Sequence, residues 1–167
     1  GQKAGVAACP ALPVLGLGSN QWGCTLDRVS GLMWEIKTID GSNRDMNKLF
    51  GYTDYPLIPL DGADTFAATM NASALCGAAD WRVPTYMELL TLAHYGIAAP
   101  GPRIDTAFFP HTPSTATSTW TTTTFTFDGT YHRTVGFGAG PDGAAPGQFA
   151  RYVRLVRGAP LANVERF

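Results

Sequence analysis

The chain has 167 residues, of which 15% are charged, and its formal net charge at pH 7 is -1. That length makes one domain of ordinary size, large enough to bury a core without multiple disulfides or a structural metal. The nearly neutral charge gives the whole molecule no electrostatic attraction to nucleic acid or to an anionic membrane. The sequence contains no unbroken apolar run of about 18 residues, the length needed to span a bilayer, so we expect no membrane insertion.

The first 21 residues are rich in Gly, Ala, Pro and Leu and follow neither a helical nor an alternating period. A terminus of this kind is normally disordered. Pro10 and Pro13 interrupt its apolar part and no basic flank precedes it, so it does not resemble a retained signal peptide. A processed, exported chain fits these observations, and so does a fragment that starts at an arbitrary boundary.

The next part of the chain predicts a strand, a long loop and a helix. Residues 32–38 alternate apolar and polar after Trp34 and predict the first strand. Residues 40–62 hold turn formers and predict a long irregular loop, a kind of segment that is often functional. Apolar spacing over residues 64–75 predicts a helix, with Asp64 as its N-cap and Gly77 as its stop.

A second helix is predicted over residues 86–95, because Thr85 and Glu88 form the capping-box pattern at its start. Gly96 is its predicted C-terminal stop. Two helices of about ten residues each are all that the periodicity supports.

From Ser114 onward the sequence indicates β-structure. Threonine is dense, Phe125 and Phe127 share one strand face, and Asp128-Gly129 is a strong hairpin signal. We expect the partner strand to carry Tyr131, Arg133, Val135 and Phe137 on one face. A Gly- and Pro-rich loop over 138–147 and a closing strand over 151–157 complete the predicted elements.

Three cysteines, Cys9, Cys24 and Cys76, give an odd count without a CxxC pair. In an oxidising compartment we expect one bridge and one leftover thiol, and the spacing leaves all three pairings open. His94, His111 and His132 lie far apart in three different elements, so we predict no metal site. No GxSxG, HExxH or phosphate-binding loop occurs, and we predict neither catalysis nor a cofactor.

Five short signatures occur in order along the chain: residues 27–35 (DRVSGLMWE), 80–85 (DWRVPT), 109–112 (FPHT), 118–122 (STWTT) and 152–157 (YVRLVR). Together they resemble the C-terminal domain family of the Legionella collagen-like adhesin, a group of secreted bacterial modules with a divergent C-type-lectin-like fold.

Each signature also has a purely structural interpretation. Trp34 and Trp81 are typical core anchors. Asp80 and Arg82 can form a pair that fixes the turn before Pro84.

The resemblance implies an α+β fold with two helices packed on a twisted antiparallel sheet and long loops, with the last strand near the first. It also implies a bridge between Cys24 and Cys76. The resemblance implies a binding function and no catalysis. It also implies that at least one relative recognises sulfated polysaccharides. The Glu-Pro-Asn, Gln-Pro-Asp and Trp-Asn-Asp triplets of calcium-dependent lectins are absent, so glycan binding here would depend on aromatic stacking, amides and cations.

We expect the ligand surface on the predicted hairpin and the last strand. Aromatic rings stack on sugars, and arginine binds sulfate or carboxylate in a bidentate manner. The alternative is that Trp120 and Phe125 belong to the core and that Arg154 and Arg157 are solvated. The predicted ligand-binding residues are Trp120, Tyr131, His132, Arg133, Phe137, Arg151 and Arg154.

The predicted organisation is an apolar arm over residues 1–21, a lectin-like domain over 22–158 and a tail over 159–167. The predicted function is adhesion or binding of glycans or other polyanions at a bacterial cell surface, as a homo-oligomer. The alternative is a structural subunit of an extracellular filament, joined to its neighbours through the arm.

Overall fold

A computed structural model describes residues 2–4, 14–16, 21–52, 61–98, 100–125, 129–138 and 143–160. It has an α+β architecture with two α-helices, a short 3-10 turn and nine short strands in the described part of the chain. One sheet has four strands in the order β1-β4-β5-β9, another has three in the order β6-β7-β8, and β2 and β3 form a separate pair. The strands are β1 Gln2–Ala4, β2 Val14–Leu15, β3 Gln21–Trp22, β4 Cys24–Leu26, β5 Met33–Glu35, β6 Thr119–Thr124, β7 Tyr131–Val135, β8 Gly143–Pro146 and β9 Val156–Arg157.

The first helix, α1, spans Ala63–Ala72, close to the predicted range. Its N-cap is Gly62 and not Asp64, which lies inside the first turn. The Asp64 carboxylate accepts a hydrogen bond of 2.9 Å from the amide of Thr65, so it still satisfies a donor at the helix start. The chain then forms the 3-10 turn Leu75–Gly77, where Gly77 has a φ of +74°.

The second helix, α2, spans Tyr86–Leu90 and begins with the predicted capping box of Thr85 and Glu88. It ends well before Tyr95, so the predicted length and the predicted stop at Gly96 are wrong. The amide of His94 donates to the carbonyl of Arg103 at 2.9 Å and not to the preceding turn. This contact with a later segment ends the helical path, and the periodicity of the sequence contains no signal for it.

The four-stranded sheet joins the two halves of the chain. Strand β9 pairs antiparallel with β5, with Trp34 opposite Val156, so the expected closing strand does lie beside the first predicted strand. Strand β5 is shorter than the predicted range of 32–38, and Leu32, Trp34 and Glu35 are all buried. The predicted strand is therefore confirmed in its central part, but the alternation of the sequence does not correspond to alternating burial, because both faces of this strand are covered.

Parts of the N-terminal arm pair with the domain of the same chain. Strand β1 adds to the edge of the four-stranded sheet, with Gln2 opposite Leu26, and β2 pairs parallel with β3. In these segments, strand pairing with the domain outweighs the tendency to disorder that the composition of the arm indicates. Residues 5–13 and 17–20 of the arm and residues 161–167 of the tail lie outside the described residues.

The three-stranded sheet contains the predicted hairpin, because β6 pairs antiparallel with β7. Gly129 has a φ of +62°, while Asp128 lies outside the described residues. Strand β8 pairs with β7 along Gly143–Pro146, within a segment predicted as a loop. Its Gly, Ala and Pro residues have low strand propensity, so its neighbour β7 and not its own sequence explains the pairing.

The core interpretation of Trp34 and Trp81 is confirmed, since both are buried and the Trp81 indole donates to the carbonyl of Leu75 at 3.0 Å. A disulfide joins Cys24 and Cys76, as the resemblance implied.

The expected pair of Asp80 with Arg82 is wrong. Asp80 pairs instead with Arg157 at 2.6 Å, and Arg82 pairs with Glu88.

Candidate functional site

Burial divides the seven predicted ligand-binding residues into two groups. Tyr131, Arg133 and Arg151 reach the surface, whereas the other four lie in the interior. On β7 the division follows the two-residue period of a strand, which turns Tyr131 and Arg133 to one face and His132 to the other. The four buried residues cannot present a ring face or a cation to an external ligand: Trp120, His132, Phe137 and Arg154.

The aromatic members of the buried group support the hairpin from beneath. The Trp120 indole donates to the carbonyl of Phe50 at 2.9 Å. His132 stacks on Tyr52 with ring centroids 3.4 Å apart, and Trp120 meets both rings edge-on. These contacts fix the inner face of the β6–β7 hairpin. Phe137 is buried in the core together with Val135, Trp34 and Leu89.

Arg154, the buried cation of the group, forms its hydrogen bonds inside the protein. Its guanidinium donates to the carbonyl of Glu35 and to the hydroxyl of Thr112, each at 2.8 Å. It also lies 5.3 Å from the centre of the Phe109 ring. Arg154 therefore has a structural role and does not belong to an external binding surface.

The outer face of the hairpin carries an arginine between two aromatic rings. The guanidinium carbon of Arg133 is 5.2 Å from the ring centre of Tyr86 and 5.6 Å from that of Phe125. Tyr131 and Phe125 are each 39% exposed. We call Tyr86, Phe125, Tyr131 and Arg133 the aromatic platform.

Backbone and hydroxyl hydrogen bonds hold α2 against the hairpin and so position the aromatic platform. The amide of Tyr86 donates to the Thr123 hydroxyl at 2.9 Å, and the Thr121 hydroxyl donates to the carbonyl of Arg133 at 2.7 Å. The amide of Phe125 donates to the carbonyl of Tyr131 at 2.7 Å. Cation–π attraction then favours one orientation of the guanidinium, which reduces the entropy lost when a ligand binds.

Sequence reasoning missed Tyr86 as a site residue and assigned Phe125 to a strand face without a binding role. The strand period could have placed Phe125 near the hairpin end. Tyr86 comes from α2, and nothing in the sequence indicates which strand that helix covers.

Arg151 occupies a different part of the surface. Its guanidinium carbon lies 5.5 Å from the ring centre of Phe149, which is largely exposed, and its Nη1 donates to the carbonyl of Ala150 at 3.0 Å. Burial lowers the pKa of Arg151, though the group stays a cation.

The aromatic platform combines ring faces with one fixed cation. Such a surface can stack on a sugar ring while the guanidinium binds a sulfate or carboxylate through two parallel hydrogen bonds. Among the described residues, no group of three His, Cys, Asp or Glu side chains could hold a metal ion. None of the helices in the described segments is both long and apolar enough to cross a bilayer.

Comparison with known proteins identifies one family. A family model described as the Lcl C-terminal domain matches residues 23–157, a range that includes all five signatures. No curated protein and no solved structure is significantly similar to the chain. The match indicates an adhesin-related extracellular module. This chain belongs to the Lcl C-terminal domain family.

Proposed function

We propose that this chain is a bacterial surface adhesion module, with a C-type-lectin-like fold, that binds sulfated or carboxylated glycans at the aromatic platform and performs no catalysis. The observation that carries the proposal is the guanidinium of Arg133 between the rings of Tyr86 and Phe125. Family membership supports an adhesin-related role. The ligand class comes from the chemistry of the platform.

A preorganised arginine suits an anionic sugar better than a neutral one. The guanidinium forms charge-assisted, bidentate hydrogen bonds with a sulfate or carboxylate, which are about twice as strong as neutral ones. The exposed ring of Tyr131 lies on the same strand face as Arg133 and offers a stacking surface beside the cation. A second pair, the half-buried Arg151 beside the exposed ring of Phe149, can contact a longer chain.

The test is binding of a sulfated heparin oligosaccharide, measured by calorimetry and by the salt concentration that elutes the protein from heparin. Arg133→Ala removes the cation, and we expect a loss of affinity of about tenfold, the value of one charge-assisted interaction. Elution should move to lower salt, because the interaction is screened. Arg151→Ala should weaken binding of long chains more than of disaccharides.

Arg28→Ala is the matched control, because Arg28 is exposed on the turn after β4 and its loss changes the net charge equally. This variant should stay within about twofold of the unaltered protein. Equal losses in the Arg28 and Arg133 variants would mean that only overall charge matters, and the platform would then not be the site.

A second candidate function is self-assembly into an extracellular homo-oligomer or filament, with the arm strand β1 as the joining element. Gln2–Ala4 forms the edge strand of the four-stranded sheet through antiparallel pairing with β4. An edge strand of three residues can be supplied by a neighbouring copy, since backbone pairing does not distinguish chains. Deletion of residues 1–18 should convert assemblies to monomers in light scattering while leaving glycan affinity intact. Unchanged mass would exclude the arm as the joining element.

A further inference from the structure

A groove of about 260 Å³ opens where the chain leaves α2, at the opposite end of that helix from Tyr86. Three segments form its walls: strand β4 with Asp27 just beyond it, residues 91–94 after α2, and the turn of residues 105–109. Since a water molecule takes about 30 Å³ in the liquid, the space accommodates a ligand of about nine non-hydrogen atoms. The groove therefore suits a small molecule or a single side chain.

The charged side chains of the groove are acidic. Asp27 and Asp105 both line it, and the described residues of its wall include neither lysine nor arginine. Partial burial acts to raise the pKa of Asp27, but hydrogen bonds from the Ser30 hydroxyl and from backbone amides outweigh it and lower that pKa. A concave surface with charges of one sign concentrates the electrostatic potential, so this groove attracts cations.

The Asp105 carboxylate keeps acceptor capacity for a ligand. Its Oδ1 accepts the amide of Ala107 at 2.9 Å, and within the described part of the chain its Oδ2 receives no hydrogen bond. Asp105 is exposed, whereas Asp27 is half-buried. A ligand that enters the groove can therefore reach an oxygen of Asp105 without breaking an existing hydrogen bond.

The remainder of the lining is largely apolar. Leu92, Ala93, Phe108 and Phe109 contribute to it, and Phe109 is buried. Methylene groups that lie against these side chains leave water, which favours binding of an apolar stem. The groove thus combines an apolar surface with two carboxylates, as small-ligand sites combine apolar walls with a few polar groups.

Hydrogen bonds between the three segments fix the shape of the groove. The Thr25 hydroxyl, from β4, donates to the carbonyl of Phe108 at 2.7 Å. The amide of Phe109 donates to the carbonyl of Asp105 at 2.9 Å, and the amide of His94 donates to that of Arg103 at 2.9 Å. A ligand therefore meets walls that are already in place, which reduces the entropy lost on binding.

We propose that this groove binds a primary ammonium group carried on a short apolar stem. An ammonium has three N–H donors and no acceptor, so it matches a lining of carboxylates. A sulfated or carboxylated sugar is repelled by the same carboxylates, so this site is separate from the aromatic platform. The ligand is a free alkyl amine or the lysine side chain of a partner protein, which present the same chemistry.

The test is an NMR titration of the unaltered protein, observing backbone amides, with three probes of similar stem: pentylammonium, 1-pentanol and pentanoate. At pH 8 alkyl amines are protonated, while ordinary histidine side chains are neutral. We expect pentylammonium to shift the amides of residues 91–94 and 105–109. Pentanol should need about tenfold higher concentration, because it lacks the charge-assisted interaction, and pentanoate should not bind.

Asp105→Asn removes the negative charge and keeps an oxygen that accepts the amide of Ala107. Affinity for pentylammonium should fall by about fivefold or more, while affinity for pentanol should not change. Asp64→Asn is the matched control, because Asp64 is exposed in the first turn of α1 and does not line the groove. This control changes the net charge equally and should stay within about twofold of the unaltered protein.

Nα-Acetyl-lysine methylamide separates the two sources of the ammonium group. Binding at least as tight as that of pentylammonium would assign the groove to a lysine side chain, and binding of pentylammonium alone would assign it to a free amine. Equal affinities for pentylammonium and pentanol would overturn the proposal, because the groove would then recognise only the apolar stem. Equal losses in the Asp105 and Asp64 variants, or no shift at residues 91–94 and 105–109, would overturn it as well.

Discussion

Arg82 donates two hydrogen bonds to the carboxylate of Glu88, each 2.8 Å long. Glu88 is fully buried and also accepts the amide of Thr85 at 2.8 Å, so one carboxylate joins the segment before Pro84 to the start of α2. Because Tyr86 is the first residue of that helix, this pair also orients the aromatic platform.

Glu88→Gln should destabilise the fold by about 2 kcal/mol, because it leaves a largely buried guanidinium without its charged partner. The measurement is the midpoint of urea unfolding. Asp80→Asn is the control, since it weakens only the exposed pair with Arg157, and its cost should stay below about 1 kcal/mol. Equal costs for the two variants would show that the Arg82–Glu88 pair adds no more than a surface interaction.

The disulfide between Cys24 and Cys76 should be a major source of stability, because it closes a loop across a sequence separation of 52 residues. The chain-entropy model gives about 4 kcal/mol for a loop of this size. A reductant should therefore lower the unfolding midpoint of the unaltered protein. The double variant Cys24→Ala, Cys76→Ala should start from that lower value and should not respond to reductant. A protein that unfolds identically with and without reductant would refute this prediction.

Stability should rise with pH between about 8 and 10.5 because of Lys37, whose pKa burial lowers from 10.5 to about 8. In this window the unfolded chain binds the proton more tightly than the folded protein does, so raising the pH favours the folded state. The shift corresponds to a gain of up to about 3 kcal/mol. The free energy of urea unfolding, measured at pH 8 and pH 10.5, should show the rise in the unaltered protein and not in the variant Lys37→Met, which has no amine to titrate. If the unfolding free energies of the two proteins changed in parallel with pH, Lys37 would not be the group responsible.

Tyr86→Leu tests whether the aromatic face, and not only the charge, positions Arg133. The substitution keeps an apolar contact with the hairpin but removes the cation–π interaction, worth about 0.5–1 kcal/mol at an exposed site. Affinity for a sulfated oligosaccharide should fall by about two- to fivefold. The unfolding midpoint should fall only slightly, because the half-buried Tyr86 ring also packs against core residues and leucine keeps part of that contact. An unchanged affinity would remove Tyr86 from the site.

Local signals in the sequence predicted the features that depend on a few adjacent residues. The capping box of Thr85 and Glu88 is correct because both of its hydrogen bonds are made within one helical turn. The β6–β7 hairpin also follows from adjacent strand and turn residues. In contrast, the end of α2 and the pairing of β8 depend on contacts with distant segments, which no local pattern contains.

In the candidate site, too, adjacent residues determine some features and distant contacts determine others. The strand period places Tyr131 and Arg133 on one face and His132 on the other, but it does not say which face is covered. That depends on Tyr52, which stacks on His132 from a loop some 80 residues earlier. The burial of Arg154 is hidden in the same way, because its partners at Glu35 and Thr112 come from other elements.

The measurement that tests the central claim most directly is an NMR titration of the protein with a sulfated disaccharide, observing the side-chain Nε–Hε of Arg133 and the backbone amides. We predict that the largest shifts will lie at Arg133, Tyr131, Phe125 and Tyr86, and that Arg28 will not respond. Shifts that spread over all exposed arginines, or that concentrate away from the β6–β7 hairpin, would contradict a binding site at the aromatic platform.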